Sequence, residues 1–182
     1  MRRVLIAAIT ALMILPLAPS GAAKTRFVEL GTDPAGDGVP ALDVTYLQVG
    51  KTGSALEIRI GIDKMLPVVA GYPDLPGIEW VFDVKGRRFI AEAVASADGP
   101  LFFLFEEKDG AFEQLESPEG TYDPADGYAS IIVPLKTIGA KSGVKISGAD
   151  GLENGDVDAH VHLLATTVYP DGMQTTKDYV VP

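Results

Sequence analysis

Apolar residues recur at every second position over most of the chain, and this period predicts strands rather than helices. In Ser54 to Ile62 (SALEIRIGI), Leu56, Ile58, Ile60 and Ile62 fall on one side, with Glu57 and Arg59 on the other. That is the signature of a strand with one buried face. Leu42 to Val49 (LDVTYLQV) predicts its partner, joined through a hairpin turn at Gly50-Lys51-Thr52-Gly53. Ile78 to Val84 (IEWVFDV) sends Ile78, Trp80, Phe82 and Val84 inward, then turns at Lys85-Gly86 into Arg87 to Ala95. Leu101 to Phe105 (LFFLF) is apolar on both faces, which suits either a central strand or a partly exposed platform. Further strands are expected at 111–115, 128–133, 144–147 and 159–169, and a single helical turn at Pro134 to Gly139.

Nine or ten short strands separated by Gly- and Pro-rich turns predict an all-β fold, an antiparallel β-sandwich. Jelly-roll-like topology is the first expectation and an immunoglobulin-like one the second. Asp63 to Gly77, with three prolines around Tyr72, reads as a packed surface loop of the kind that carries binding sites. No internal repeat and no linker divides the chain, so residues 24–182 are expected to form one domain.

The first 23 residues break the strand pattern. Arg2 and Arg3 precede an apolar run, Val4 to Leu15, interrupted only by Thr10; Pro16 and Pro19 follow, then small residues to Ala23. This layout predicts a signal peptide over 1–23. The run is too short for the ~20 residues that span a bilayer. The expected product is secreted or periplasmic, without a membrane span after cleavage near Ala22 or Ala23. The chain contains no cysteine, which excludes disulfides and a lipidated cysteine. Stability must then come from the core.

Charge narrows the partners. Of 15 Lys+Arg, the signal removes Arg2 and Arg3; 13 then face 25 Asp+Glu, a formal −12. Such a surface is repelled by nucleic acid and by anionic membranes. Calcium remains compatible, and Asp33-Pro34-Ala35-Gly36-Asp37-Gly38 with Asp43 offers three carboxylates around a glycine-rich turn. Calcium takes six to eight oxygens from such loops; the plain alternative is a solvated turn. Asp150 to Asp158 is a second oxygen-rich stretch, but it departs from the EF-hand spacing. His160 and His162, the two histidines, alternate on one predicted strand face, near Asp158 and Glu153, in a spacing that suits zinc or copper.

Aromatic residues are the remaining binding candidates. Trp80, Phe82, Phe103 and Phe105 are expected in the core, leaving Tyr72 and Phe102 as candidate ligand-binding residues. Catalytic motifs are missing: no Gly-x-Ser-x-Gly occurs, and Gly50-Lys51-Thr52 is followed by a strand, so it is no phosphate loop.

Asp33 to Gly38, LDVTYLQV, ALEIRIGI, WVFDVKGRRF and YASIIVPLKTIG, in that order, resemble secreted bacterial accessory β-sandwiches similar to family-nine carbohydrate-binding modules and DOMON-like domains. The resemblance implies a jelly-roll-like sandwich, often with a bound calcium, that binds sugars or haem. No axial Met and His pair is placed for haem by the sequence. The combined expectation is an exported, non-enzymatic module that binds polysaccharide or another secreted or envelope protein. Two alternatives stand beside it: a small polysaccharide-acting enzyme using a carboxylate pair, and a structural protein of the cell envelope.

Overall fold

The computed structural model describes residues 25–36, 43–65, 67, 75–96, 98–148, 156–163, 166–174 and 177–182. Backbone alone is described for 75–76, 156–163 and 166–174. The expected signal peptide, Asp37 and Tyr72 lie outside these residues, as do Asp150 and Glu153 of the second oxygen-rich stretch.

The chain is an all-β antiparallel sandwich. The smaller sheet has the order β1-β2-β3-β9-β8, from β1 (Phe27–Thr32), β2 (Val44–Thr52), β3 (Ala55–Ile62), β9 (Tyr128–Pro134) and β8 (Glu119–Asp123). The larger sheet runs β12-β11-β4-β5-β6-β7. Its members are β4 (Leu75–Val84), β5 (Arg87–Ser96), β6 (Gly99–Lys108), β7 (Ala111–Glu116), β11 (Asp156–Leu163) and β12 (Thr166–Gln174). Two short strands, β10 (Lys145–Gly148) and β13 (Tyr179–Val180), attach beside the end of β4.

Period-two alternation builds the core. Leu56, Ile58 and Ile60 of β3, with Leu47, Val49, Ile131 and Val133 beside them, are fully buried. Opposite lie Trp80, Phe82, Phe89, Ala91 and Leu104. Trp80 stacks on Phe82 with ring centroids 4.5 Å apart, and Phe82 on Phe89 at 5.6 Å. Such offset pairs add to the large apolar area these rings remove from water. Lys85-Gly86 closes the β4–β5 hairpin with φ of 53° and 74°, the left-handed pair that a tight two-residue hairpin turn requires.

Three differences from the sequence reading have physical causes. Strands β1, β8 and β13 are short, and only tertiary pairing makes them strands; Glu119–Asp123 has no run of apolar alternation to announce it. The expected strand over 159–169 is a hairpin, β11 and β12. Pro134 to Gly139 forms turns rather than a helical turn. Thr137 N–H donates to the Pro134 carbonyl at 3.1 Å and Ala140 N–H to the Leu135 carbonyl at 2.8 Å.

Candidate functional site

Register decides which side chains leave the core. Leu104 pairs with Ala91 on the inner face, so its neighbours Phe103 and Phe105, opposite Glu92 and Ile90, belong to the outer face of the larger sheet. Leu101 and Phe112 share that face, each 44% exposed, and Phe103, Phe105 and Ile90 are half-buried. The Phe103 and Phe105 rings sit 5.9 Å apart and tilted by 35°. The expectation that these two phenylalanines belong to the core is therefore revised. An apolar run puts side chains on both faces of a strand, and here only Phe102 and Leu104 point between the sheets.

This apolar row has a charged border. Arg88 bridges Asp83 and Glu107, each at 3.4 Å. On the other side of the same strands, where Glu106 is opposite the core residue Phe89, Lys108 lies 3.0 Å from Glu113 and 3.6 Å from Glu106. Glu106 itself is nearly buried and accepts a 2.5 Å hydrogen bond from Arg87 Nε. That bond holds its carboxyl below the ordinary range, the nearby Lys108 charge adding to the effect.

Phe102 is half-buried and packs against the core. Its ring lies against Gly120 of β8, where an added Cβ would come within 2.5 Å of it. Nearby Tyr122 is also packed there, and burial pushes its hydroxyl up to about 12. Phe102 thus closes the rim between the sheets.

At the other edge of the smaller sheet, Asp33-Pro34-Ala35-Gly36 turns out of β1, with Gly36 at φ 105°. Asp33 N–H donates to the Thr45 carbonyl at 3.0 Å. Gly36 N–H donates to Asp43 Oδ2 at 2.6 Å, and Asp63 N–H to the Asp43 carbonyl at 2.9 Å. Asp43 is completely buried, and its Oδ1 has no hydrogen-bond partner among the described residues. A buried carboxylate oxygen left unpaired is costly, so the site suits a cation. Asp33 and Asp43 are brought to one turn; Asp37 lies outside the described residues.

Among the described residues, no three His, Asp or Glu side chains gather at metal-binding distance. Met65 is buried in the core. A shallow depression lined by Asp83, Lys85, Gly86, Val144, Lys145 and Ser147 holds two lysines already engaged: Lys85 donates to the Gly139 carbonyl at 2.8 Å and Lys145 bonds Asp178 at 3.1 Å. No described helix is long and apolar enough to cross a membrane. No family model, curated protein or solved structure matches the chain, so nothing identifies it as a carbohydrate-binding or DOMON-like domain.

Proposed function

We propose that this chain is an exported, non-enzymatic interaction module that docks a second secreted or envelope protein on the outer face of its larger sheet. The carrying observation is the row Ile90, Leu101, Phe103, Phe105 and Phe112, apolar and open, bordered by the ion pairs of Arg88 with Asp83 and Glu107. An apolar centre with a charged rim is the anatomy of a protein interface. Phenylalanine and leucine favour a protein partner over sugar, since sugar-stacking surfaces draw on the polar tips of Trp and Tyr. The signal-like N-terminus supports export. Polysaccharide is the second reading, kept by the tilted Phe103 and Phe105 pair and by the strand-pattern resemblance.

The test compares the mature chain with the double substitution Phe103→Ser, Phe105→Ser. Immobilised wild-type protein is expected to retain a partner from the extracellular and envelope protein fraction, and the double variant to lose it. Retention on insoluble polysaccharide instead, lost in the same variant, moves the reading to sugar. Equal retention by both chains overturns the role of this face.

Calcium at the Asp33–Asp43 turn is a structural addition to this reading. Asp43 Oδ1 and the Asp33 carboxylate supply oxygens there, with Asp37 the third expected ligand. Calcium at a hundredfold its dissociation constant adds about 2.7 kcal/mol of stability, about 5–10 °C in melting midpoint for a domain of this size. Chelator is expected to abolish that shift, and Asp43→Asn to remove the response to both. A midpoint that ignores calcium and chelator alike contradicts the site.

A further inference from the structure

Strand β7 is an open edge of the larger sheet: β6 pairs one side of it and, among the described residues, no strand pairs the other. Asp109 and Gly110, at φ 53° and 79°, form the two-residue turn between β6 and β7. In such a hairpin the residues flanking the turn, Lys108 and Ala111, exchange both backbone bonds, and bonded and non-bonded pairs then alternate. Glu113 opposite Glu106 is therefore the next bonded pair. Phe112 and Gln114 belong to non-bonded pairs, so their N–H and carbonyl groups point away from β6, off the edge of the sheet. Residues 111–114 are all exposed. The ladder slips at Leu115, which leaves this stretch as the regular part of the edge. Neither lysine nor proline, two usual protections of an edge, stands in β7.

The two faces of this edge differ. Phe112 and Gln114 lie on the outer face beside the apolar row, Phe112 diagonal to Phe105. Glu113 lies on the other face, its side chain 61% exposed beyond its pair with Lys108. Glu116 follows on that face, opposite Leu104, and its Oε1 is buried with no hydrogen-bond partner among the described residues. An unpaired buried carboxylate oxygen favours an incoming charged donor. From Glu106 to Glu119 the chain carries six carboxylates and one cation, Lys108. Arg87 and Arg88 of β5 pair with two of them, and the corner stays negative.

We propose that β7 is extended by a strand of the partner protein, an antiparallel segment that alternates apolar residues with lysine or arginine. This rests on the outer face being the docking surface. Apolar residues opposite Phe112 and Gln114 exchange backbone bonds with them and carry the row of Phe103, Phe105 and Phe112 one strand further. The basic residue between them falls opposite Glu113, in a non-bonded pair where side chains approach most closely. The next basic residue reaches toward Glu116. Backbone bonds give such strand addition its affinity, and the alternate side chains give its specificity. A second copy of this chain would bring the same acidic strand against β7 and is disfavoured.

The probe is a hexapeptide, acetylated and amidated, that alternates lysine with valine and phenylalanine; it is titrated into the mature chain and followed by amide resonances. It is expected to bind and to slow hydrogen exchange at the Phe112 and Gln114 N–H groups. Methylating the amide nitrogens of its apolar residues should weaken binding about tenfold or more. Methylating those of its lysines, which face solvent, should not. Glutamate in place of lysine should abolish binding. Gln114→Pro removes an N–H that points off the sheet and should act as the first methylation does. Phe103→Ser, Phe105→Ser should also weaken the peptide. No binding, or binding indifferent to where the peptide is methylated, overturns strand addition. Loss in the serine variant with no effect of methylation removes the edge and keeps the face; loss on methylation with full binding by the serine variant keeps the edge and removes the face.

Discussion

The outer face of the smaller sheet closes over its aromatic rings, whereas the outer face of the larger sheet leaves them open. On the smaller sheet the Arg59 guanidinium lies 4.3 Å from the Phe27 ring centroid and 4.5 Å from that of Tyr128. Its Nη2 also bonds Glu57 Oε1 at 2.8 Å, and Ser130 Oγ donates to the same oxygen at 3.3 Å. Tyr46 covers Gly61, leaving no room for a Cβ there. On the larger sheet, among the described residues, no guanidinium stacks on Phe103 or Phe105. Arg88 is held sideways by Asp83 and Glu107 instead. Aromatic residues under a paired cation contribute to the fold itself. Rings left open contribute little to it, and their exposed apolar area favours association.

This contrast can be broken by mutation, and the largest effect belongs to the closed face. Arg59→Ala removes two ring contacts and leaves the half-buried Glu57 without its cation, which is expected to cost about 2–3 kcal/mol. A denaturation midpoint within error of wild type would show that the closed face is not structural. Next comes the ion pair at the inner-face edge of the larger sheet, where Glu106 is opposite Phe89. Glu106→Gln loses the charged bond from Arg87, about 1–2 kcal/mol at neutral pH.

Its pH dependence has a definite sign. The Glu106 carboxyl is held below its ordinary value when folded, so its stabilisation is complete above about pH 4.3, the unfolded value. It is lost as pH falls through the lower folded value. The gap between wild type and Glu106→Gln should therefore close on acidification; a gap that widens would contradict the assignment. Smallest is the effect of opening the apolar row further. Phe103 and Phe105 are half-buried, so each change to serine should cost about 1 kcal/mol, below the 1.5–3 kcal/mol of a fully buried ring.

The sequence reading succeeded where a strand has one wet face. Leu56, Ile58 and Ile60 alternate with Glu57 and Arg59, and the structure buries the first set. It was ambiguous where both faces are apolar. Nothing in LFFLF says which alternate residues point inward; pairing with β5 settles it, through Leu104 opposite Ala91. The platform was legible as one of two options, but Phe102 and the Phe103–Phe105 pair hold reversed places relative to expectation. Asp33 and Asp43 were legible as neighbours through their turn residues. The burial of Asp43, which distinguishes it from a solvated turn, depends on β2 and β3 pairing around it.

The central claim is that the open face serves association rather than folding. Its most direct test measures unfolding and partner retention on the same preparation of the Phe103→Ser, Phe105→Ser double variant. The account predicts a cooperative transition lowered by about 2 kcal/mol at most and complete loss of retention. Loss of the cooperative transition, or retention equal to wild type, would contradict it.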